Sequence, residues 1–163
     1  MPARPILTLP HPLLRAKAEV VQPPFDAVSE VIRDLWETLD AHVGVGIAAP
    51  QIGESLRIIV ADATRAKRPV KNHGRLTLIN PVILEREGTI AFREGCLSVP
   101  DYVAFVERSR VVTVSALAPD GSPLVVTAEG FEAVILQHEI DHLDGILFID
   151  RIRHARDIKL RPR

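Results

Sequence analysis

Leu136-Gln137-His138-Glu139-Ile140-Asp141-His142-Leu143-Asp144-Gly145 is the stretch on which both fold and chemistry turn. Residues four apart on an α-helix stack one turn above another on one face, so His138 and His142 can present two imidazoles to a single ion. Glu139, beside the first of them, is placed to take a proton from a water on that ion. The flanks allow the helix, since neither Gly nor Pro interrupts Phe131 to Leu143 and Gly145 can supply a left-handed stop. A surface helix with two incidental histidines would carry the same pattern. A third ligand has to be found.

Composition narrows the search. At 163 residues with 47% hydrophobic content, residues 1–163 are expected to form a single domain with a real core. Lys plus Arg against Asp plus Glu is 20 against 21, a net charge of −1 that offers no global attraction to nucleic acid or to an anionic membrane. No apolar run has the length of a bilayer span, and the first ten residues carry neither a signal-peptide core nor an Arg/Ser-rich presequence. Cytoplasmic residence is the expectation. With one cysteine in the chain an internal disulfide is excluded, leaving Cys96 as a buried thiol, a reactive thiol or a metal ligand.

Outward from the helix the chain reads as short strands. Ile6 to Leu9 is extended and closed by Pro10, and Pro23-Pro24 breaks the chain again. Asp26 is a plausible N-cap for a helix carrying Val28, Ile32, Leu35, Trp36 and Leu39, which fades near Gly44. Gly44 to Gly53 is rich in small residues that let a second backbone come close, and it lacks the Lys-Ser/Thr of a phosphate loop. Leu56 to Ala61 predicts a strand, Thr64 to Arg75 a solvated basic loop, and Leu76 to Asn80 a strand stopped at Pro81. Further β segments follow at 82–87, 89–92, 103–106 and 110–118. Pro119-Asp120-Gly121 then turns the chain so that Leu124 to Ala128 pairs back. The fold class is α+β, antiparallel strands wrapped around a central metal-binding helix.

Zinc peptidases with a His-Glu-x-x-His helix take the third ligand downstream, from a Glu or from a His after His-x-x-Gly. Here 21 residues follow His142, and His154 lies in a charged tail. Upstream, Arg93-Glu94-Gly95-Cys96-Leu97-Ser98-Val99-Pro100 interrupts the strands like a site-forming loop. A buried structural thiol is the simpler role for Cys96 alone. Beside His138 and His142, ligation becomes the better one, since a thiolate with two imidazoles leaves a fourth tetrahedral position open.

Gly44-Val45-Gly46-Ile47-Ala48-Ala49-Pro50-Gln51, Glu94-Gly95-Cys96-Leu97-Ser98 and Gln137 to Gly145 together resemble the three motifs of the peptide deformylase family, in order. Pro10 to Arg15 is similar to its N-terminal signature and Leu147 to Arg151 to the segment after its helix, with Ile47 replacing the commoner Leu. The resemblance implies a hydrolase that removes the formyl group from the formyl-methionine of newly made proteins, releasing formate. It implies metal ligation by Cys96, His138 and His142, acid/base work by Glu139, and an oxyanion site from Gln51 and the Leu97 N–H. It implies one divalent ion per chain, Fe(II) in the cell, with Zn(II), Ni(II) or Co(II) able to substitute. Its partners would be N-formylmethionyl nascent peptides, with a transient ribosome contact, no stable nucleic-acid binding and no membrane. The tail here is short, which puts in doubt the longer C-terminal helix that some members dock on the ribosome.

Two further expectations build on that resemblance. The Gly44-Val45-Gly46 backbone can accept an extended peptide as an added strand, with Val45, Gly46, Val134 and Ile135 as candidate walls for peptide and methionine side chain, the apolar ones serving equally well as ordinary core. Asp141 faces away from the metal and is either a solvated carboxylate or the partner of a basic residue such as Arg108 that braces the helix.

Overall fold

The computed structural model describes residues 3–162. Helix α1 (Ser29–Asp40) leads into β1 (Gly46–Ala48), β2 (Ile58–Asp62) and a long β3 (Arg75–Glu87). Two hairpins follow, β4 (Ile90–Cys96) with β5 (Val99–Arg108) and β6 (Val111–Leu117) with β7 (Pro123–Glu129). Then come α2 (Gly130–Leu143) and a short β8 (Ile158–Leu160). The strands form an antiparallel sheet ordered β1-β2-β3-β6-β7 and a second ordered β4-β5-β8. β1 is therefore an edge strand.

Strand parity explains how one sheet serves two cores. Every residue of β2 is buried, and side chains alternate between faces. Ile58 and Val60 join Leu35 and Leu39 of α1, whereas Ile59 and Ala61 join Ile135 and Leu136 of α2. A third cluster roofs the smaller sheet, with Cys96, Ala104 and Val106 packed against Leu147 and Phe148 after the helix. Helix α2 is buried from Glu132 to Leu143 without a solvent face. That burial carries two histidines, two glutamates and an aspartate into the interior, where it works against their charge. The helix stops where Gly145 takes φ +73, with its N–H on the His142 carbonyl and the Ile146 N–H on that of Asp141.

Four expectations need correction. Asp26 does not cap a helix: Phe25–Val28 is a single 3-10 turn with Pro24 at its start, and α1 begins at Ser29. Pro81 does not stop a strand. Asn80 and Pro81 together oppose Ala116 in a bulge between the pairs Ile79–Leu117 and Val82–Ser115, Asn80 has φ +52, and β3 runs on to Glu87. Proline, lacking an N–H, is tolerated where the ladder is already interrupted. Arg93 to Pro100 is no strand-breaking loop but the end of β4, a two-residue turn at Leu97-Ser98, and the start of β5. The basic segment after β2 is not merely solvated, because Arg65 to Val70 form a wall of the main cavity.

Candidate metal centre

Two elements meet at one point. The third turn of α2 brings His138 and Glu139, its last turn brings His142, and the end of β4 brings Cys96. The ligand atoms of Cys96, His138 and His142 lie within 4.8 Å of one another, with Cys96 Sγ 3.4 Å from His142 Nε2. Sulfur and nitrogen bound to one tetrahedral ion sit about 3.5 Å apart. The separation suits a shared ion.

Each ligand is oriented by its surroundings. His138 Nδ1 is 2.8 Å from Glu94 Oε1, which leaves Nε2 for the ion, and the ring stacks on Phe148 at 6.0 Å between centroids. Glu94 is itself gripped by Arg108, at 2.7 and 2.9 Å, and Arg108 reaches on to Asp141 at 2.8 Å. Arg151 closes the far side of Asp141 at 2.9 and 3.1 Å. The expected pairing of Asp141 with Arg108 is present, and Glu94 and Arg151 extend it into a chain. Sequence reading assigned Glu94 no role. Two-residue alternation puts Glu94 and Cys96 on the same buried side of β4, a signal that opens only once Arg93 to Cys96 is known to be strand and not loop.

The field at this point favours a cation. Burial discourages charge on His138, yet Glu139, Cys96 and Glu94 hold its imidazole well above the ordinary value. His142 lacks a carboxylate partner, and burial with His138 and Arg108 nearby drives it well below. One thiol and two imidazoles converging beside buried carboxylates are a donor set that fits a divalent ion. Burial also pushes the Glu139 carboxyl up to about 7, against the pull of His138. Its Oε1 is buried and has no hydrogen-bond partner among the described residues. Gly46 makes room for it: a Cβ there would come 2.8 Å from Glu139 Oε2 and 3.1 Å from Ile135 Cγ2.

Gln51 lies in the turn after β1. Its Oε1 accepts from the Ala48 N–H at 2.9 Å, and Nε2 donates to Ser98 Oγ at 3.0 Å and faces Cys96 Sγ at 3.6 Å. The first residues tie these turns together, with the Leu7 N–H on the Gln51 carbonyl and the Leu9 N–H on that of Ser98. A cavity of about 900 Å³ opens above the centre. Val45, Gly46, Gln51, Leu97, Val134 and Ile135 all line it, together with Cys96, His138 and Glu139. His142 lies beneath, almost fully buried.

The family model described as polypeptide deformylase matches residues 3–157. A peptide deformylase of Syntrophobacter fumaroxidans is 46% identical over 154 residues, 94% of this chain and 89% of the relative. One from Aquifex aeolicus is 43% identical over 155 residues, covering 94% and 89%. Among solved structures, a peptide deformylase from Legionella pneumophila superposes with a TM-score of 0.84 at 43% identity, covering 93% of this chain and 86% of that one. A Met-Ala-Ser-bound peptide deformylase from Acinetobacter baumannii gives 0.85 at 34% identity, covering 92% and 98%.

Proposed function

The chain belongs to the polypeptide deformylase family, enzymes that remove the N-formyl group from nascent peptides, and from that premise we propose how its own residues divide the work. Cys96, His138 and His142 hold one divalent ion, and the convergence of these three ligand atoms within 4.8 Å is the observation that carries the reading. When bound, that ion supplies a Lewis acid and a water of lowered pKa.

Glu139 takes the proton of the attacking water and later gives it to the departing amine, a role suited to a buried carboxyl with a free oxygen. Gln51 has two amide hydrogens; one is committed to Ser98 Oγ and the other faces the Cys96 side, available to the formyl oxygen. The Leu97 N–H is the second donor to that oxygen as charge builds. The free edge of β1 at Gly46 receives the peptide backbone as an added strand, largely independent of its sequence. Val45, Val134 and Ile135 face the first side chain, methionine. The relative from Acinetobacter baumannii was solved with Met-Ala-Ser bound, a ligand of the class proposed for this cleft. A formyl group presents only hydrogen beyond its carbonyl, so a tight site at Gly46 and Glu139 excludes acetyl on size.

We extend the reading to Fe(II) as the working ion, in a thiolate and two-imidazole site that also accepts zinc, nickel and cobalt. The iron form should lose activity in air while the nickel form keeps it; an iron-loaded sample fully active after aerobic storage would contradict this. The whole chain acts as one catalytic domain. Nascent chains as substrates place its work in the cytoplasm, and no helix among the described residues is long and apolar enough to cross a membrane. A transient ribosome contact would use what the tail leaves free, since Arg151 and Arg153 are engaged by Asp141 and Glu107.

The deciding experiment measures formate release from formyl-Met-Ala-Ser by nickel-loaded protein, with acetyl-Met-Ala-Ser as the negative control. Release from the first alone is expected, and no release from either would overturn the reading. Gln51→Ala should cost about 2.7–4 kcal/mol of barrier, seen in kcat.

A further inference from the structure

Charge is distributed unevenly around the cavity. Its lining includes Arg65, Lys67, Arg68, Arg93 and Arg161, in a protein whose basic and acidic residues otherwise nearly balance. The carboxylates in the lining are Glu94 and Glu139, both buried: the first is neutralised by Arg108 and His138, and the second lies deep in the site. Arg65 is taken up by Asp40 and Asp62. Lys67, Arg68, Arg93 and Arg161 are exposed, and none of them has an ion-pair partner among the described residues. They come from three separate segments, the loop after β2, the strand β4 and the tail beyond β8.

The tail cation is held in place. The Arg161 N–H donates to the Asp101 carbonyl at 2.8 Å, extending the β8–β5 pairing, and its guanidinium lies where a Cβ on Gly95 would come within 2.6 Å of Nη2. The missing side chain at 95, next to the ligand Cys96, leaves room for the tip of this arginine against the cavity wall.

We propose that this rim makes the enzyme selective for substrates with acidic side chains in the residues that follow formyl-methionine, with Lys67, Arg68, Arg93 and Arg161 as the specificity-determining groups. This rests on the deformylase reading. Methionine is taken by the apolar floor, so the residues behind it must pass the rim. A cleft walled by one sign of charge concentrates ligands of the other sign. Nucleic acid is the less favoured occupant, because these cations line the cavity over the metal centre and the chain's net charge is −1.

The test compares kcat/KM of the nickel-loaded protein for formyl-Met-Asp-Glu, formyl-Met-Ala-Ser and formyl-Met-Lys-Lys at low salt. Two exposed ion pairs gained and two repulsions avoided should separate the acidic from the basic peptide by about tenfold. At 1 M salt, where screening falls to about 3 Å, the difference should shrink below about twofold. The variant Lys67→Glu/Arg68→Glu should reverse the order, and Arg161→Glu should narrow it. Equal values for the three peptides, or a preference for lysine, would overturn the selectivity while leaving the activity standing. No formate from any of the three would overturn both. If a single-stranded oligonucleotide inhibited turnover while peptide charge made no difference, the rim would be a nucleic-acid surface and the proposal would fall.

Discussion

Replacing Glu139 by alanine should lower formate release from a formyl-methionyl peptide by about 10²–10⁴-fold while the protein keeps its metal. The rate falls because Glu139 is the carboxyl beside the three ligands that is neither bonded to a protein partner through Oε1 nor tied into the arginine chain. Burial pushes it up to about 7, so it can hold a proton and release one near neutrality. Metal should stay because the converging ligand atoms come from Cys96, His138 and His142, without Glu139. Glu139→Gln separates chemistry from packing, since it keeps the volume that Gly46 accommodates but cannot accept the proton. Equal losses in the two variants, with metal content near one per chain, are expected. A Glu139→Ala protein as fast as the parent would remove this residue from the mechanism, and one stripped of metal would make it a ligand.

What the sequence disclosed follows from how local each signal is. His138, Glu139 and His142 lie within five residues on one helix, so their geometry is set by the helix repeat alone and could be read directly. Cys96 is 42 residues upstream of His138, and its role emerged only by eliminating downstream ligands and by resemblance. The pairing of Asp141 with Arg108 was within reach because a buried carboxylate on that helix needs a cation. Which further groups join it depended on the β4–β5 register, and no single-sequence pattern specifies a register. Pro81 misled for the same reason. A proline ends a strand only if the ladder needs its N–H, and here a bulge had removed that need. The basic loop reads as solvated by composition, and solvated it is at Lys67 and Arg68. Its position over the metal centre is a property of the assembled fold.

Arg108→Ala is expected to destabilise the protein by about 3–5 kcal/mol, because it leaves buried carboxylates short of their counter-ion. Arg108 donates to both oxygens of Glu94 and to Asp141 from a position almost without solvent access. Burial alone would lower its pKa, but the two carboxylates raise it; against its own burial, Glu94 is held below the usual carboxylate range by His138 and then by Arg108. Removing the guanidinium leaves Glu94 with His138 alone and Asp141 with the half-exposed Arg151. The effect should reach the metal: Glu94 fixes the His138 ring, and loss of such a support typically costs 10–100-fold in affinity. Two measurements check this, urea unfolding of the metal-free protein and zinc affinity by competition with a chelator. Arg108→Lys should recover little, since an ammonium cannot bridge both oxygens of Glu94 and Asp141 together. Arg108→Met with Glu94→Gln should recover more stability than affinity, because the buried charge is gone while the grip on His138 is weaker. If Arg108→Ala unfolded within about 1 kcal/mol of the parent and bound zinc equally well, the chain from Arg151 to His138 would be incidental to the centre it surrounds.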